Sequence, residues 1–359
     1  MKLLFVWTGV TGYTGDCWRA LNVLPDVETS IWVQAENISD DTRFQANHEL
    51  RNLDARIVPE LNAKVREEII QSTTAFQPDL MFLVGWHASV SRFFATRPVF
   101  RKIPKVIIFD LPFEWTIRKL GAPVVLLRYL RRFTAAFVPG AAATTYARWL
   151  GFGSRKRPIF TGMFSTNLKR FEGLAVRKIR EGIPRRFLFV GRYVPEKNLA
   201  LLVEAYRLYR EQVSDPWPLD CVGMGPDGHL LLNQPGITDC GFCEPDALPG
   251  VYGSHGVFVL PSRHEPWGVV LAEAAGAGLP IICTDACGAH LELVRDNGVV
   301  CPSGDAKAMA GAMVRMHQTS QEDLETMIRE GVALAEPYSC EAWAQRVVDL
   351  SRQLLSKVK

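Results

Sequence analysis

The sequence predicts an α/β protein built on two doubly wound parallel sheets, one in each half of the chain. Three observations predict it. The 359 residues, 48% hydrophobic and 22% charged, are enough for two globular domains that each bury a core. Short apolar runs alternate with longer segments of helical periodicity, which builds a parallel sheet covered on both faces. Polar, glycine-containing turns follow several runs directly, at the strand ends where open α/β sheets bind ligands.

In the first half the apolar runs are 3–7, 31–33, 56–58, 80–84, 105–109 and 135–138, with a helix predicted over 63–76. After the first run comes the glycine-rich turn 8–15, TGVTGYTG, whose Gly12 allows close backbone approach to a ligand. Its spacing is not the dinucleotide G-x-G-x-x-G. After the fourth run, Gly85-Trp86-His87-Ala88 places His87 at a strand's carboxyl end. Two readings stay open for His87: a hydrogen bond to a sugar hydroxyl, and a structural place in its loop. Asp110 closes the fifth run.

Segment 123–133, PVVLLRYLRRF, interleaves valines and leucines with Arg128, Arg131 and Arg132. Such a basic amphipathic helix suits an anionic membrane surface, or equally a helix packed on the sheet with its arginines in water. It lies in an interval from Glu114 to Glu172 that has no acidic residue between its ends and eleven lysines and arginines. The first half therefore carries a basic surface, and 118–157 is the stretch that would meet an anionic membrane. A basic link, 151–158, leads to 160–165.

The second sheet opens with 186–190, followed at once by Gly191-Arg192-Tyr193-Val194-Pro195-Glu196-Lys197-Asn198. A helix comes next, with Leu199, Leu202, Val203 and Tyr206 on one face. Arg192 and Lys197 lie between a strand's end and a helix's start, where a fork-shaped and a point cation suit a diphosphate. Gly223 belongs to a second glycine turn after a strand, and Glu244 follows a strand read at 239–243. The run 257–260, a polar loop, a helix over 269–275 and the run 281–283 then form one strand, loop, helix and strand unit. Glu265 and Glu273 bracket its turn, with the Trp267, Gly268 and Val269 amides between them offered to a phosphate. On a fully helical segment, carboxylates eight residues apart lie roughly 12 Å apart. That exceeds the 5 to 9.5 Å of a glycosidase pair and suits two contacts on one elongated ligand.

The pattern P-S-x-x-E-P-W-G-x-x-x-x-E-A around Glu265 and Glu273, with G-R-x4-K ahead of it, resembles the E-x7-E signature of the retaining GT-B glycosyltransferases of family four, glycosyl transferases group 1. The resemblance covers nearly the whole chain, strongly over 186–305 and loosely before 158. It implies a GT-B fold, two Rossmann-like doubly wound domains facing across a cleft. The acceptor domain would be 1–165, with the last helix, 340–359, packing back on it, and the donor domain 166–339. The implied reaction moves a sugar, with retention, from a nucleotide-sugar donor to a glycan, lipid-linked or envelope-polymer acceptor. No cofactor beyond that donor and no covalent nucleophile is implied, and the departing phosphate accepts the acceptor's proton.

The same resemblance gives Arg192 and Lys197 to the diphosphate, Glu265 to the donor sugar and Glu273 to the ribose hydroxyls. Gly191 and Gly223 turn the chain beside the donor, and the backbone near Glu244 holds the nucleobase. The loop of Gly12 contacts donor phosphate and acceptor, and His87 and Asp110 lie on the acceptor side, Asp110 near the place where many relatives have a histidine. Two rivals share these features: a nucleotide-sugar epimerase of the same fold, and a non-catalytic nucleotide-sugar-binding partner.

Composition narrows the remaining classes. No segment has the length of a membrane span, and MKLLFVW reads as a first strand and not as a signal peptide, so a cytoplasmic protein is expected, with the inner membrane face as the surface it would dock on. The eight cysteines read as small buried hydrophobes of a reduced compartment. Alternation along a strand at 239–243 would put Cys240 and Cys243 on opposite faces, unsuited to joint metal ligation. No carboxylate cluster for a divalent ion and no nucleic-acid motif is found, so metal-independent chemistry is expected.

Overall fold

The computed structural model describes residues 1–10, 12–34, 50–113 and 116–357. Thr11 of the glycine-rich stretch, and Glu114 and Trp115 at the head of the acid-free interval, lie outside them. The chain divides into two compact units: Met1–Thr166 together with the chain from Cys340 on, and Asn167–Ser339.

Among the described residues, the first unit has a sheet of seven parallel strands: β1 (Lys2–Thr8), β2 (Glu28–Gln34), β3 (Ala55–Val58), β4 (Leu80–Val84), β5 (Lys105–Ile108), β6 (Ala135–Val138) and β7 (Ile159–Thr161). Their order is 3-2-1-4-5-6-7. Strand alternation sends Leu4 and Val6 to one face and Leu3 and Phe5 to the other, and each set joins its own buried core. The first core is completed by Trp86, Phe94 and Tyr146. The second is completed by the helix Cys340–Leu355, which lays Trp343, Val347, Leu350 and Leu354 on the sheet. Trp343 Nε1 satisfies its one donor on the Met163 carbonyl at 2.8 Å.

The second unit repeats the plan with β8 (Phe187–Val190), β9 (Leu219–Val222), β10 (Ile237–Asp239), β11 (Val257–Leu260), β12 (Ile281–Thr284) and β13 (Gly298–Cys301), in the order 10-9-8-11-12-13. Both sheets reverse direction of strand addition once, between β1 and β4 and between β8 and β11. Such a switch point opens a crevice at the strands' carboxyl ends, because the following loops diverge to opposite faces.

Several expectations need correction. The turn 8–15 is only half a turn, since the helix Gly12–Asn22 already begins at Gly12. Residues 159–161, which overlap the segment 160–165 after the basic link and were not expected to form a strand, are β7, paired with β6. The strand expected at 239–243 ends at Asp239, because Asp239 Oδ1 takes the Gly241 amide in a tight turn. Cys240 is therefore exposed and Cys243 partly so, while the other six cysteines are buried.

The single amphipathic helix expected at 123–133 is two short helices, Ile117–Val125 and Leu127–Leu130, broken at Leu126. Pro123 cannot donate to the Lys119 carbonyl one turn back, and Trp149 Nε1 fills that place at 3.2 Å. Ile117, Val124 and Val125 are 91%, 80% and 81% exposed.

Candidate functional site

The site of the second unit grows from the switch point between β8 and β11. Strand β8 ends at Val190, Gly191-Arg192 follow, and the chain crosses the 3-10 turn Pro195–Lys197 before the helix Leu199–Arg210. Asn198 starts that helix from the left-handed region, at φ +57°. Its side-chain oxygen accepts from Arg263 Nη2 at 2.8 Å, while the Arg263 amide donates to the Glu196 carbonyl at 2.9 Å. These two bonds tie the loop after β11 to the loop after β8. Lys197 is thereby brought to Glu265, and its Nζ donates to Glu265 Oε2.

Both partners are largely withdrawn from water, at 14% and 16% side-chain exposure. The backbone of Glu265 is fixed from a third loop, its amide donating to Ala286 and its carbonyl accepting from Gly288. Arg192, in contrast, is exposed and has no ion pair or hydrogen bond among the described residues. One cation is thus fixed against a carboxylate, and a second reaches into solvent from the same strand end.

Two glycines shape the loops here. A Cβ on Gly223 would stand 1.9 Å from the Gly191 carbonyl oxygen, so the turn after β9 closes on the turn after β8 only without a side chain. Gly268 precedes the helix Val269–Gly276 at φ +98°, and no side chain caps that helix. The Leu271 amide donates to the Gly268 carbonyl at 2.9 Å, which leaves the Val269 and Val270 amides as the donors at the helix start, where an anion is favoured. Trp267 itself is buried against the Tyr338 ring and offers backbone only.

Glu273 lies inside that helix, and its Oε2 accepts from Tyr252 Oη at 3.2 Å. Only part of the spacing from Glu265 is helical, because the helix begins at Val269. The fully helical separation assumed from sequence does not apply. Glu244 is exposed just past β10, with its carbonyl accepting from the Ala247 amide.

In the first unit, Gly12 and His87 follow β1 and β4, which flank that unit's switch point, and Asp110 follows β5. His87 Nε2 meets Arg118 Nη2 at 3.3 Å. Burial, then Arg118 and Arg92, hold its imidazole below the usual range, so it is neutral at pH 7 and can accept from the guanidinium. Among the described residues no group of three or more His, Cys, Asp or Glu side chains is placed to hold a metal ion, and no helix is long and apolar enough to cross a membrane.

Sequence reasoning missed Tyr252, Asn198, Arg263 and Lys178. A positive φ at an Asn before a helix is the one locally readable signal among them. The other three act through contacts between distant segments.

Two doubly wound α/β units, one with cations and helix-start amides at its switch point, define the fold class. Comparison with known proteins then supplies the family resemblance. Residues 184–319 match the family model described as "Glycosyl transferases group 1". The O-antigen chain mannosyltransferase B of Escherichia coli is 27% identical over 177 residues, 46% of this chain and 45% of that protein. The phosphatidyl-myo-inositol mannosyltransferase of Mycobacterium leprae is 31% identical over 146 residues, 38% of each chain. The chain thus spans less than half the length of these curated relatives.

Among solved structures, Anabaena HepE in complex with UDP superposes with a TM-score of 0.76, covering 99% of this chain and 100% of that one at 15% identity. The sucrose-phosphate synthase of Thermosynechococcus elongatus gives 0.71, at 16% identity and the same coverage. The fold is GT-B.

Proposed function

We propose that this protein is a retaining, metal-independent glycosyltransferase that moves a sugar from a nucleotide-sugar to a glycan, lipid-linked or envelope-polymer acceptor. The observation that carries the reading is the arrangement at the second unit's switch point, where exposed Arg192, paired Lys197 and Glu265, and the free amides after Gly268 come from the loops after β8 and β11. Arg192, Lys197 and the amides would offset the charge of a leaving diphosphate, which is the developing anion of the transfer. Glu265, held by Lys197, would contact the donor sugar, and Glu273 the ribose. The bond from the anomeric carbon to the diphosphate breaks, the bond to the acceptor oxygen forms on the same face, and the acceptor's proton passes to the departing phosphate. The relatives named above, two of them mannosyltransferases, and the UDP complex of a structural neighbour support this choice of chemistry.

A thermal-shift screen of UDP, GDP and ADP with their sugars identifies the donor, since a ligand at a hundred times its Kd stabilises by about 2.7 kcal/mol. Release of nucleoside diphosphate only when acceptor is added supports transfer. Donor consumption without acceptor would favour the epimerase, and binding without turnover the non-catalytic partner. Activity should survive dialysis against a chelator.

Docking on an anionic membrane belongs to the same reading. Exposed Ile117, Val124 and Val125 lie in one stretch with exposed Arg118, Arg128, Arg131 and Arg132. Apolar insertion beside charge attraction is what peripheral docking requires. The cations are fewer than the sequence suggested. Arg157 is turned inward onto the Leu130, Phe133 and Gly151 carbonyls, and Lys169 and Arg170 belong to the second unit.

A further inference from the structure

Glu273 has a built-in holder. Tyr252, on the helix Leu248–Gly253, is fully buried, and its hydroxyl donates to Glu273 Oε2 at 3.2 Å. The phenol has little freedom to leave. Its ring meets Phe171 edge-on at 5.1 Å and lies near-parallel to Phe258 of β11 at 6.2 Å. The helix that carries Glu273 is fixed as well, because the buried Lys178 ammonium donates to the Ala277 and Gly278 carbonyls just past its end, at 2.9 and 3.3 Å.

The chemistry of recognition makes this contact matter. An ionised carboxylate only accepts hydrogen bonds and has about four lone-pair sites. To receive the vicinal hydroxyls of a ribose it must hold one plane, and a glutamate with free torsions would lose entropy in doing so. A bond from a fixed donor to one oxygen removes that freedom beforehand. Burial, and then Glu273 itself, push the Tyr252 phenol well above its usual range, so it remains a donor at any pH an enzyme meets.

We infer that Tyr252 is a positioning residue for nucleotide recognition, its hydroxyl orienting Glu273 so that the carboxylate meets the ribose diol of the donor. The inference rests on the proposed contact of Glu273 with the ribose.

Calorimetry with UDP, GDP and ADP on the full chain tests it, using whichever binds most tightly. Tyr252→Phe keeps the ring and removes only the hydroxyl. It should weaken nucleoside diphosphate binding by about tenfold, the scale of one charge-assisted hydrogen bond. It should raise the donor KM by a similar factor and leave kcat near its original value, a split that a general loss of structure would not give. In a Glu273→Ala background the same change should add almost nothing.

Unchanged affinity in Tyr252→Phe, or an equal loss with and without Glu273, overturns the inference while leaving the ribose contact standing. Unchanged affinity in Glu273→Ala overturns the ribose contact itself, and the inference with it. Should Tyr252→Phe not fold, Glu273→Asp serves, since one methylene fewer withdraws the carboxylate from Tyr252 with its charge intact. Full affinity in that variant would equally overturn the inference.

Discussion

Replacing Lys197 with alanine separates the two things this side chain does. In the folded protein it neutralises Glu265, and both are about 15% exposed, Lys197 at 14% and Glu265 at 16%. Breaking a fully buried ion pair costs roughly 3–5 kcal/mol, mostly because the surviving charge is left unpaired. Residual exposure lets water reach Glu265, so about 2–3 kcal/mol is expected here. For a unit of this size each kcal/mol moves Tm by roughly 2–4 °C, giving a fall of about 4–12 °C.

In turnover, Lys197 would stabilise the leaving diphosphate, and losing one such group costs on the order of 100-fold in kcat/KM, about 2.7 kcal/mol. The double variant Lys197→Ala/Glu265→Ala removes the orphaned carboxylate. It should recover most of the lost Tm and none of the activity. Scanning calorimetry beside a nucleotide-release assay reads both quantities. The dual role of Lys197 is refuted if Lys197→Ala melts like the parent and the double variant is no more stable than the single one, or if either variant turns over near the original rate.

Glu273→Ala should weaken free nucleoside diphosphate binding, whereas Glu265→Ala should spare it and impair transfer; equal losses by calorimetry would contradict this division. The protein should co-sediment with anionic vesicles, less so at high salt, and both Arg128, Arg131 and Arg132→Ala together and Val124, Val125→Asp should reduce binding. No sedimentation at low salt would end the membrane reading. Burial lowers Lys178 to about 7 in the folded chain, against about 10.4 when unfolded. The unfolded state then binds more protons between those values, so this group makes stability rise from about pH 7 to pH 10, by up to roughly 1.4 kcal/mol per unit. Lys178→Met should flatten that rise in a pH series of denaturant melts, and an unchanged slope would contradict it.

How much of the molecule the sequence reveals depends on where the information is local. Strands β4, β6 and β11 fall where the apolar runs do, because a strand buried on both faces must be apolar throughout. Arg192 with Lys197, and Glu265 with Glu273, could be singled out as candidates because strand, turn and helix hold each pair within a few positions, whereas the meeting of Lys197 with Glu265, 68 residues away, could not. The break at Leu126 has no local signal, since the first helix runs past Pro123 to Val125 and the Lys119 carbonyl that Pro123 leaves without a donor is taken by Trp149 from another helix. The end of β10 depends on one side-chain bond from Asp239, which outweighs the apolar character of Cys240 to Cys243. Tyr252 is the clearest case. It reads as an ordinary core aromatic, and only folding brings it to Glu273, 21 residues away.

The central claim is that the second unit holds a nucleotide-sugar by its diphosphate and gives up the sugar only to an acceptor. It is tested most directly by measuring nucleoside diphosphate release on acceptor addition, in the parent protein and in Arg192→Ala. Arg192 is exposed and unpaired among the described residues, so its loss should leave the fold intact. Release should depend on acceptor and fall on the order of 100-fold in the variant, with Tm unchanged. Release at the parent rate in Arg192→Ala, or donor consumption that ignores the acceptor, would contradict it.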